Sequence, residues 1–195
     1  MIEKNRNISF ESLTGKMLVA NPYCSFGDIF DKSVIYVATH SEEGAIGLIV
    51  NKAISRLGIK KLYRIKDEEI SRKQDIEKNI LIGGPMDPER SFVIHSADYM
   101  KNLTFSQSNS IAVSSSVDVI KDILNGIGPM KSNIVLGYTG WGQNQLEEEI
   151  ENNYWLIQDA DQQIIFGDDD HLKWSIAIEK FGIGHGYFSS QMGHS

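Results

Sequence analysis

Short apolar runs separated by turn residues fill the first two-thirds of the chain and predict β-strands. The expected strands are Lys16–Ala20, Ser33–Thr39, Ala45–Val50, Asn79–Ile82, Ser91–His95 and Ile111–Val113. A four-residue polar link that ends in Gly44 joins the second and third strands and predicts a hairpin. Both strands of this hairpin are apolar on both faces, which is typical of the middle of a sheet covered by helices.

The last third of the chain mixes helical and strand patterns. A helix is expected over Ser116–Asn125, because Ser115 or Ser116 can cap its start, Val117, Ile120 and Leu124 share one face, and Gly126 can end it. The further expected elements are a strand Asn133–Tyr138, a helix Gln143–Asn152, strands Tyr154–Ile157 and Gln163–Phe166 joined as a hairpin through Asp159–Asp161, and a helix Asp170–Phe181.

Composition narrows the protein class. The 195 residues are 41% hydrophobic, which suits a folded chain, and their number favours one domain over residues 1–195. The net charge of −7 argues against a nucleic-acid-binding protein, since binding to phosphate backbones requires a basic surface.

The single cysteine, Cys24, favours a reducing compartment. With no apolar run of signal-peptide or membrane length, the expected location is the cytoplasm, with no membrane partner.

Two segments are expected to lie outside the packed core. Residues 64–78 carry five basic and five acidic side chains without a sustained helical period, which predicts a charged surface loop. Residues 183–195 are rich in glycine and are expected to form a mobile tail.

The residues that could carry chemistry do not form a known catalytic or metal motif. The five histidines make no H-x-H or H-E-x-x-H pattern, so no metal and no cofactor are expected. His40 and His95 both end apolar strands, where they could meet at one sheet edge as acid–base groups or could be hydrogen-bonded structural residues, the interpretation we favour. Cys24 is read as a small packed residue rather than a nucleophile.

Six segments in order are similar to the YqgE/AlgH family of bacterial proteins. They are Leu13–Pro22, Phe30–Val37, Gly44–Asn51, Gly83–Met86, Phe92–His95 and Leu136–Glu147. The resemblance covers residues 12–183 and implies one α/β domain with a mixed, mostly antiparallel sheet covered by helices. It implies no particular reaction, although one member is labelled a transcriptional regulator of alginate production. His40 and His95 fall where the family pattern carries histidine, whereas Cys24 does not belong to that pattern.

Two classes of function stay open. We favour a cytoplasmic regulatory or interaction protein that acts through a protein or small-molecule partner and not by direct DNA binding. The alternative is a small-ligand binder or an enzyme of unknown reaction, built around His40, His95 and the Trp141 loop. No catalytic set can be assembled from spacing, so an enzyme is the less favoured class. The candidate ligand- or partner-binding residues are Asn21, His40, Asn51, Gly84, His95, Trp141 and Gln145.

The Trp141 loop supports two interpretations. Gly140 and Gly142 flank the tryptophan, so the chain can turn sharply there between a strand and a helix. In the structural interpretation, which we favour, the Trp141 side chain packs into this turn and Gln145 forms hydrogen bonds with neighbouring backbone groups. In the functional one, the helix start near Gln143 and Asn144 offers free N–H groups to an anionic ligand or partner.

Overall fold

The computed structural model describes residues 11–71, 75–108 and 110–183. The strands are β1 (Lys16–Ala20), β2 (Val34–Ser41), β3 (Gly44–Ile49), β4 (Ala53–Gly58), β5 (Glu77–Ile82), β6 (Met86–Ser96), β7 (Leu103–Ser108), β8 (Ile111–Ser114), β9 (Ser132–Trp141) and β10 (Trp155–Asp159). The helices are α1 (Ile59–Leu62), α2 (Val117–Asn125), α3 (Gln145–Glu151), α4 (Gln162–Ile165) and α5 (Lys173–Glu179), with single 3₁₀ turns at Asp28–Phe30 and Asp67–Glu69.

One curled sheet organises the described chain, with β9 at its centre. Its main path runs β10-β1-β2-β3-β9-β6-β8-β7, and β4 joins through β5. β9 pairs antiparallel with β3 and β6 and parallel with β5, so it forms hydrogen bonds with three other strands along its length. Every other pairing is antiparallel. The single α/β domain with a mixed, mostly antiparallel sheet is therefore confirmed.

Two apolar clusters pack against this sheet. The larger one surrounds β1, β2 and β3 and includes Tyr36, Leu48 and Trp174. The expected burial of the hairpin strands β2 and β3 on both faces is confirmed. The smaller one lies under α2 and includes Ile80, Leu124 and Ile134. At roughly 1.5–3 kcal/mol for each fully buried large apolar side chain, these clusters are the main stabilising element of the fold.

The helix predicted after residue 115 forms as α2 for the expected reasons. The Ser116 hydroxyl accepts a hydrogen bond from the Asp118 N–H at 3.1 Å, and Gly126 ends the helix in the left-handed conformation at φ +73°. Its buried face differs from the prediction at three positions. Val117 is exposed, and Val119 and Ile123 are buried beside Ile120 and Leu124.

One local expectation was wrong, and two strands were not predicted. The segment predicted as strand Gln163–Phe166 is helix α4, since the Asp161 carboxylate accepts the Gln163 N–H at 2.7 Å and caps it, so Asp159–Asp161 is no hairpin turn. β4 was missed because its side chains are exposed and lack an apolar pattern. β7 was missed because Leu103–Ser108 reads as a polar segment with only two apolar positions.

The two segments expected outside the core are only partly described. Within 64–78, a 3₁₀ turn covers Asp67–Glu69, Ile65 and Ile70 are buried in the smaller cluster, and β5 begins at Glu77. Of the tail expected over 183–195, residues 184–195 lie outside the described residues. No helix in the described part of the chain has the length and apolarity to cross a bilayer.

Candidate functional site

A short turn connects the end of β9 to α3 and fixes the orientation of the helix. The Gly142 N–H donates to Gln145 Oε1 at 3.1 Å, and the Gln145 N–H donates to the Gly142 carbonyl at 3.1 Å. Asn144 supports the turn with a left-handed backbone at φ +62°. Gln145 and Glu149 lie four residues apart and therefore share the helix face beside Trp141.

Glu149 is the common acceptor of three side chains. Its Oε2 accepts the indole N–H of Trp141 at 2.8 Å and that of Trp155 at 2.7 Å. Its Oε1 accepts the side-chain N–H of Gln145 at 3.0 Å. Both indoles are almost fully buried, at 6% and 5% exposure, so these bonds satisfy donors that water does not reach. One carboxylate thus ties β9, α3 and β10 together.

A cleft of about 430 Å³ opens beside this network. Its lining comes from the loop before β2, the start of β6, the end of β9, α3 and the start of β10, and five of its thirteen residues are aromatic. The aromatic lining residues are Phe26, Phe30, Trp141, Tyr154 and Trp155. A volume of this size is typical of sites for small organic ligands.

The rings of this cleft, hereafter the aromatic cleft, meet at steep angles. Trp155 stands edge-on to Trp141, with centroids 6.3 Å apart and an interplanar angle of 85°. Phe26 contacts Trp155 at 4.9 Å and Tyr154 at 5.8 Å. The Trp141–Trp155 and Phe26–Tyr154 pairs are edge-to-face and the Phe26–Trp155 pair is tilted at 40°, so these rings pack against one another without a ligand.

Glu149 supplies the charge in the aromatic cleft. Among the lining residues that the structure describes, it is the one charged side chain, and none is a histidine, cysteine or lysine. Its carboxylate already accepts three hydrogen bonds from within the protein, so its two oxygens are largely occupied.

His40 lies on the other side of α3. Its Nδ1 accepts the Leu13 N–H at 3.0 Å, so its Nε2 carries the proton and donates to Glu147 Oε1 at 2.9 Å. The imidazole is 1% exposed. It forms the floor of a second cleft, of about 680 Å³, whose rim carries the carboxylates of Glu11, Glu42, Glu147, Glu148 and Glu151. Both ring nitrogens therefore have partners within the protein, which fix the orientation of the imidazole.

His95 lies far from this region. It pairs with Ser132 at the start of β9, whereas Trp141 ends that strand, about 30 Å away at roughly 3.3 Å per residue. Its Nδ1 donates to the Ser96 carbonyl and its Nε2 accepts from the Ser114 hydroxyl, both at 3.0 Å. Burial lowers the pKa of His95. The structure does not bring His40, His95 and Trp141 around one cleft, so the alternative built around all three residues has no common site in the described chain.

The side chains of the two asparagines among the predicted site residues form hydrogen bonds with backbone groups. Asn51 Oδ1 accepts the Val34 N–H and its Nδ2 donates to the Lys32 carbonyl, both at 2.8 Å. Asn21 Nδ2 donates to the Asn153 carbonyl at 2.7 Å, and its Oδ1 accepts the Tyr23 N–H at 3.1 Å. Both side chains close loops next to strand ends.

Gly84 shapes one wall of the aromatic cleft. A Cβ at this position would lie 2.3 Å from the Tyr138 backbone and 2.4 Å from Thr139 Oγ1, so only glycine fits. This close approach places the following Pro85 and Met86 on the cleft. Of the predicted site residues, Trp141 and Gln145 line the cleft directly and Gly84 supports it.

The helix start near Gln143 and Asn144 is poorly suited to an anion. The Gly142 and Gln145 N–H groups are already bonded within the turn, and Glu147 and Glu148 place negative charge in the first turn of the helix. Cys24, which is half-buried, donates its thiol to the Asn153 carbonyl at 3.4 Å. No group of three or more histidine, cysteine, aspartate or glutamate side chains in the described part of the chain is placed to hold a metal ion.

Sequence reasoning missed most of the cleft. Glu149 was not among the predicted site residues, and Tyr154 and Trp155 were predicted only as part of a strand. A usable signal was the spacing of Gln145 and Glu149, which places both on one helix face. The convergence of Phe26 and Phe30 on Trp155 follows from long-range pairing between β1 and β10 and has no local signal.

Comparison with known proteins gives one consistent family. The family profile described as AlgH-like matches residues 17–186. UPF0301 proteins of Rickettsia typhi and Rickettsia felis are 43% and 42% identical over 186 residues, which cover 95% of this chain and 97% of each relative. The solution structure of the AlgH protein from Pseudomonas aeruginosa superposes with a TM-score of 0.72 at 31% identity over both whole chains. A crystal structure from Corynebacterium diphtheriae, at 20% identity, 88% coverage of each chain and a TM-score of 0.67, shares the fold.

Proposed function

The chain belongs to the AlgH-like family of bacterial proteins, and we propose that it is a cytoplasmic regulatory or interaction protein. In this proposal it acts by binding a small molecule or a side chain of a protein partner, and neither by direct DNA binding nor by catalysis. The aromatic cleft beside α3 is the binding site.

One observation carries the proposal: two buried indoles and a glutamine converge on Glu149 at the wall of an open aromatic cleft. A carboxylate held by three donors cannot easily reorient, so the cleft keeps its shape without a ligand. Preorganisation of this kind lowers the entropic cost of binding. The packing of Phe26 on Trp155 adds to it.

Charge and chemistry support the two exclusions in the proposal. The net charge of −7 and the acidic rim along α3 repel a phosphate backbone. Against catalysis, the ring nitrogens of His40 and His95 are bonded inside the protein. The Glu149 carboxylate of the aromatic cleft likewise accepts three hydrogen bonds from the protein itself. The single cysteine is the support for a reducing, cytoplasmic location.

The three tryptophans provide the test, because each has one indole N–H signal in a ¹H–¹⁵N spectrum. Trp141 and Trp155 report the aromatic cleft, whereas Trp174 donates to the Ala20 carbonyl at 2.9 Å in the core and serves as an internal control. The protein is titrated separately with the low- and high-molecular-mass fractions of a bacterial lysate. We expect at least one fraction to move the Trp141 and Trp155 signals and leave Trp174 in place. Unmoved cleft signals with both fractions, or equal movement of all three signals, would overturn the proposal.

A further inference from the structure

We propose that the aromatic cleft binds an alkylated ammonium group, of which trimethylammonium is the simplest example. This inference rests on the proposed function and names the ligand chemistry of the same site. It follows from the aromatic side chains of the cleft, from the negative charge of Glu149, and from the hydrogen bonds that the Glu149 carboxylate already accepts.

The rings supply the first part of the argument. Aromatic faces carry a negative quadrupole and attract cations within about 6 Å of their centroids. Phe26 and Phe30 pack around Trp155, and Trp155 stands edge-on to Trp141. Tyr154 is 41% exposed and stands next to Phe26. Rings that enclose a space from several sides are the usual setting for ammonium recognition.

The charge supplies the second part. Among the lining residues that the structure describes, Glu149 is the one that bears a charge, and it is half-buried. On the opposite face of α3, Glu147 and Glu148 add further negative potential. A cation is therefore favoured over an anion, which would meet a carboxylate with no described cationic lining residue beside it.

The hydrogen bonds select among cations. Glu149 Oε2 already accepts two indole N–H groups, and Oε1 accepts Gln145. The carboxylate therefore offers its charge but few free lone pairs. A guanidinium or a primary ammonium needs several acceptors once it leaves water, whereas a trimethylammonium has no N–H to satisfy. The site matches the alkylated cation best.

Two sources could present this group: a free metabolite with a trimethylammonium head, or a trimethylated lysine side chain of a protein. A cleft of about 430 Å³ accommodates such a head with a short chain attached. The shared chemistry is the alkylated cation on a short carbon chain, and the two sources are separated by experiment.

The experiment compares choline with 3,3-dimethyl-1-butanol, which has the same shape but a carbon in place of the charged nitrogen. Tryptophan fluorescence and the Trp141 and Trp155 indole signals are followed in both titrations. We expect choline to bind at least about fivefold more tightly than the neutral alcohol. A trimethyl-lysine peptide and its unmodified lysine control form the second arm. Tighter binding by the peptide indicates a protein source, and tighter binding by choline indicates a metabolite.

Variants link the effect to named residues. Glu149→Gln should remove the preference for choline over the alcohol, whereas Glu148→Gln, which removes one charge from the same helix outside the aromatic cleft, should retain it. Phe26→Leu keeps an apolar wall and should weaken choline binding several-fold without weakening the alcohol.

Equal affinity for choline and the alcohol, or no binding by choline and the trimethyl-lysine peptide, would overturn the ammonium proposal. Neither result would overturn the proposed function, because its own test, the lysate titration, makes no assumption about the charge of the ligand. The two proposals therefore fail on different observations.

Discussion

Trp141 and Trp155 donate their indole N–H groups to the same oxygen of one carboxylate, at 2.8 and 2.7 Å. The first residue ends β9 and the second begins β10, so the shared acceptor joins two strands that do not pair with each other. The segment between them folds as the short helix α3, which places Glu149 beside both indoles. Stability and the proposed binding site therefore depend on the same side chain.

Removal of the Glu149 carboxylate should destabilise the protein strongly. Glu149→Ala leaves two buried indole N–H groups without an acceptor, and a buried donor without a partner costs about 1–3 kcal/mol. We expect a loss of about 2–4 kcal/mol in the free energy of unfolding, measured by urea denaturation. Glu148→Ala is the matched control, and because this residue is exposed it should change stability by less than about 0.5 kcal/mol. A loss for Glu149→Ala as small as that for Glu148→Ala would mean that the shared acceptor does not stabilise the fold.

His95 should make stability fall in mild acid. Burial lowers its pKa in the folded protein below the usual 6.5, so the unfolded chain takes up the proton first. This contribution to stability is present above about pH 6.5 and is lost as the pH falls below that value. Urea midpoints measured between pH 7.5 and 5 should decline more steeply for wild type than for His95→Gln. Parallel declines would show that another group is responsible.

Lys173 holds a buried junction between β3 and α4. Its ammonium donates to the Val50 and Ile165 carbonyls at 2.9 Å and contacts Asp170 at 2.6 Å, with the lysine side chain 2% exposed. Lys173→Met leaves the Asp170 carboxylate buried without its partner and should cost about 3–5 kcal/mol. Adding Asp170→Asn should recover part of that loss in a double-mutant cycle followed by thermal melting. Additive losses would indicate that the two groups do not interact.

The α2 helix should be anchored from one face only. Leu124 is fully buried in the smaller cluster, so Leu124→Ala should cost about 2–5 kcal/mol. Val117 begins the same helix but is 43% exposed, and Val117→Ala should cost less than about 1 kcal/mol. Denaturant midpoints of the two variants give the comparison. Similar midpoints would mean that the helix is not packed as described.

The sequence predicted elements whose signals are local. β1 was placed at its observed bounds because Lys16–Ala20 is an apolar run between turn residues, and α2 because Ser116 and Gly126 mark its ends. β4 escaped prediction because a strand whose side chains are exposed has no apolar period. α4 was mistaken for a strand because its two buried positions, Ile164 and Ile165, are adjacent and carry no helical spacing.

The site was harder to predict than the fold. Trp141 and Gln145 were recognisable from the glycines and the family pattern, but their partner Glu149 is one of three consecutive glutamates with no distinguishing feature. Trp155 reaches it through the pairing of β10 with β1, a contact between opposite ends of the chain. His40 and His95 looked equivalent at their strand ends, yet the length of β9 separates them.

The most direct measurement of the central claim, that the aromatic cleft is where this protein binds, compares wild type with Tyr154→Ala in the lysate titration. Tyr154 is 41% exposed at the cleft and lies outside both buried apolar clusters, so its removal should leave the fold intact. It should weaken the response of the Trp141 and Trp155 indole signals at least about fivefold. Met130→Ala, an exposed apolar residue outside that cleft, should respond like wild type. A Tyr154→Ala protein whose cleft signals respond as strongly as those of wild type would contradict the account.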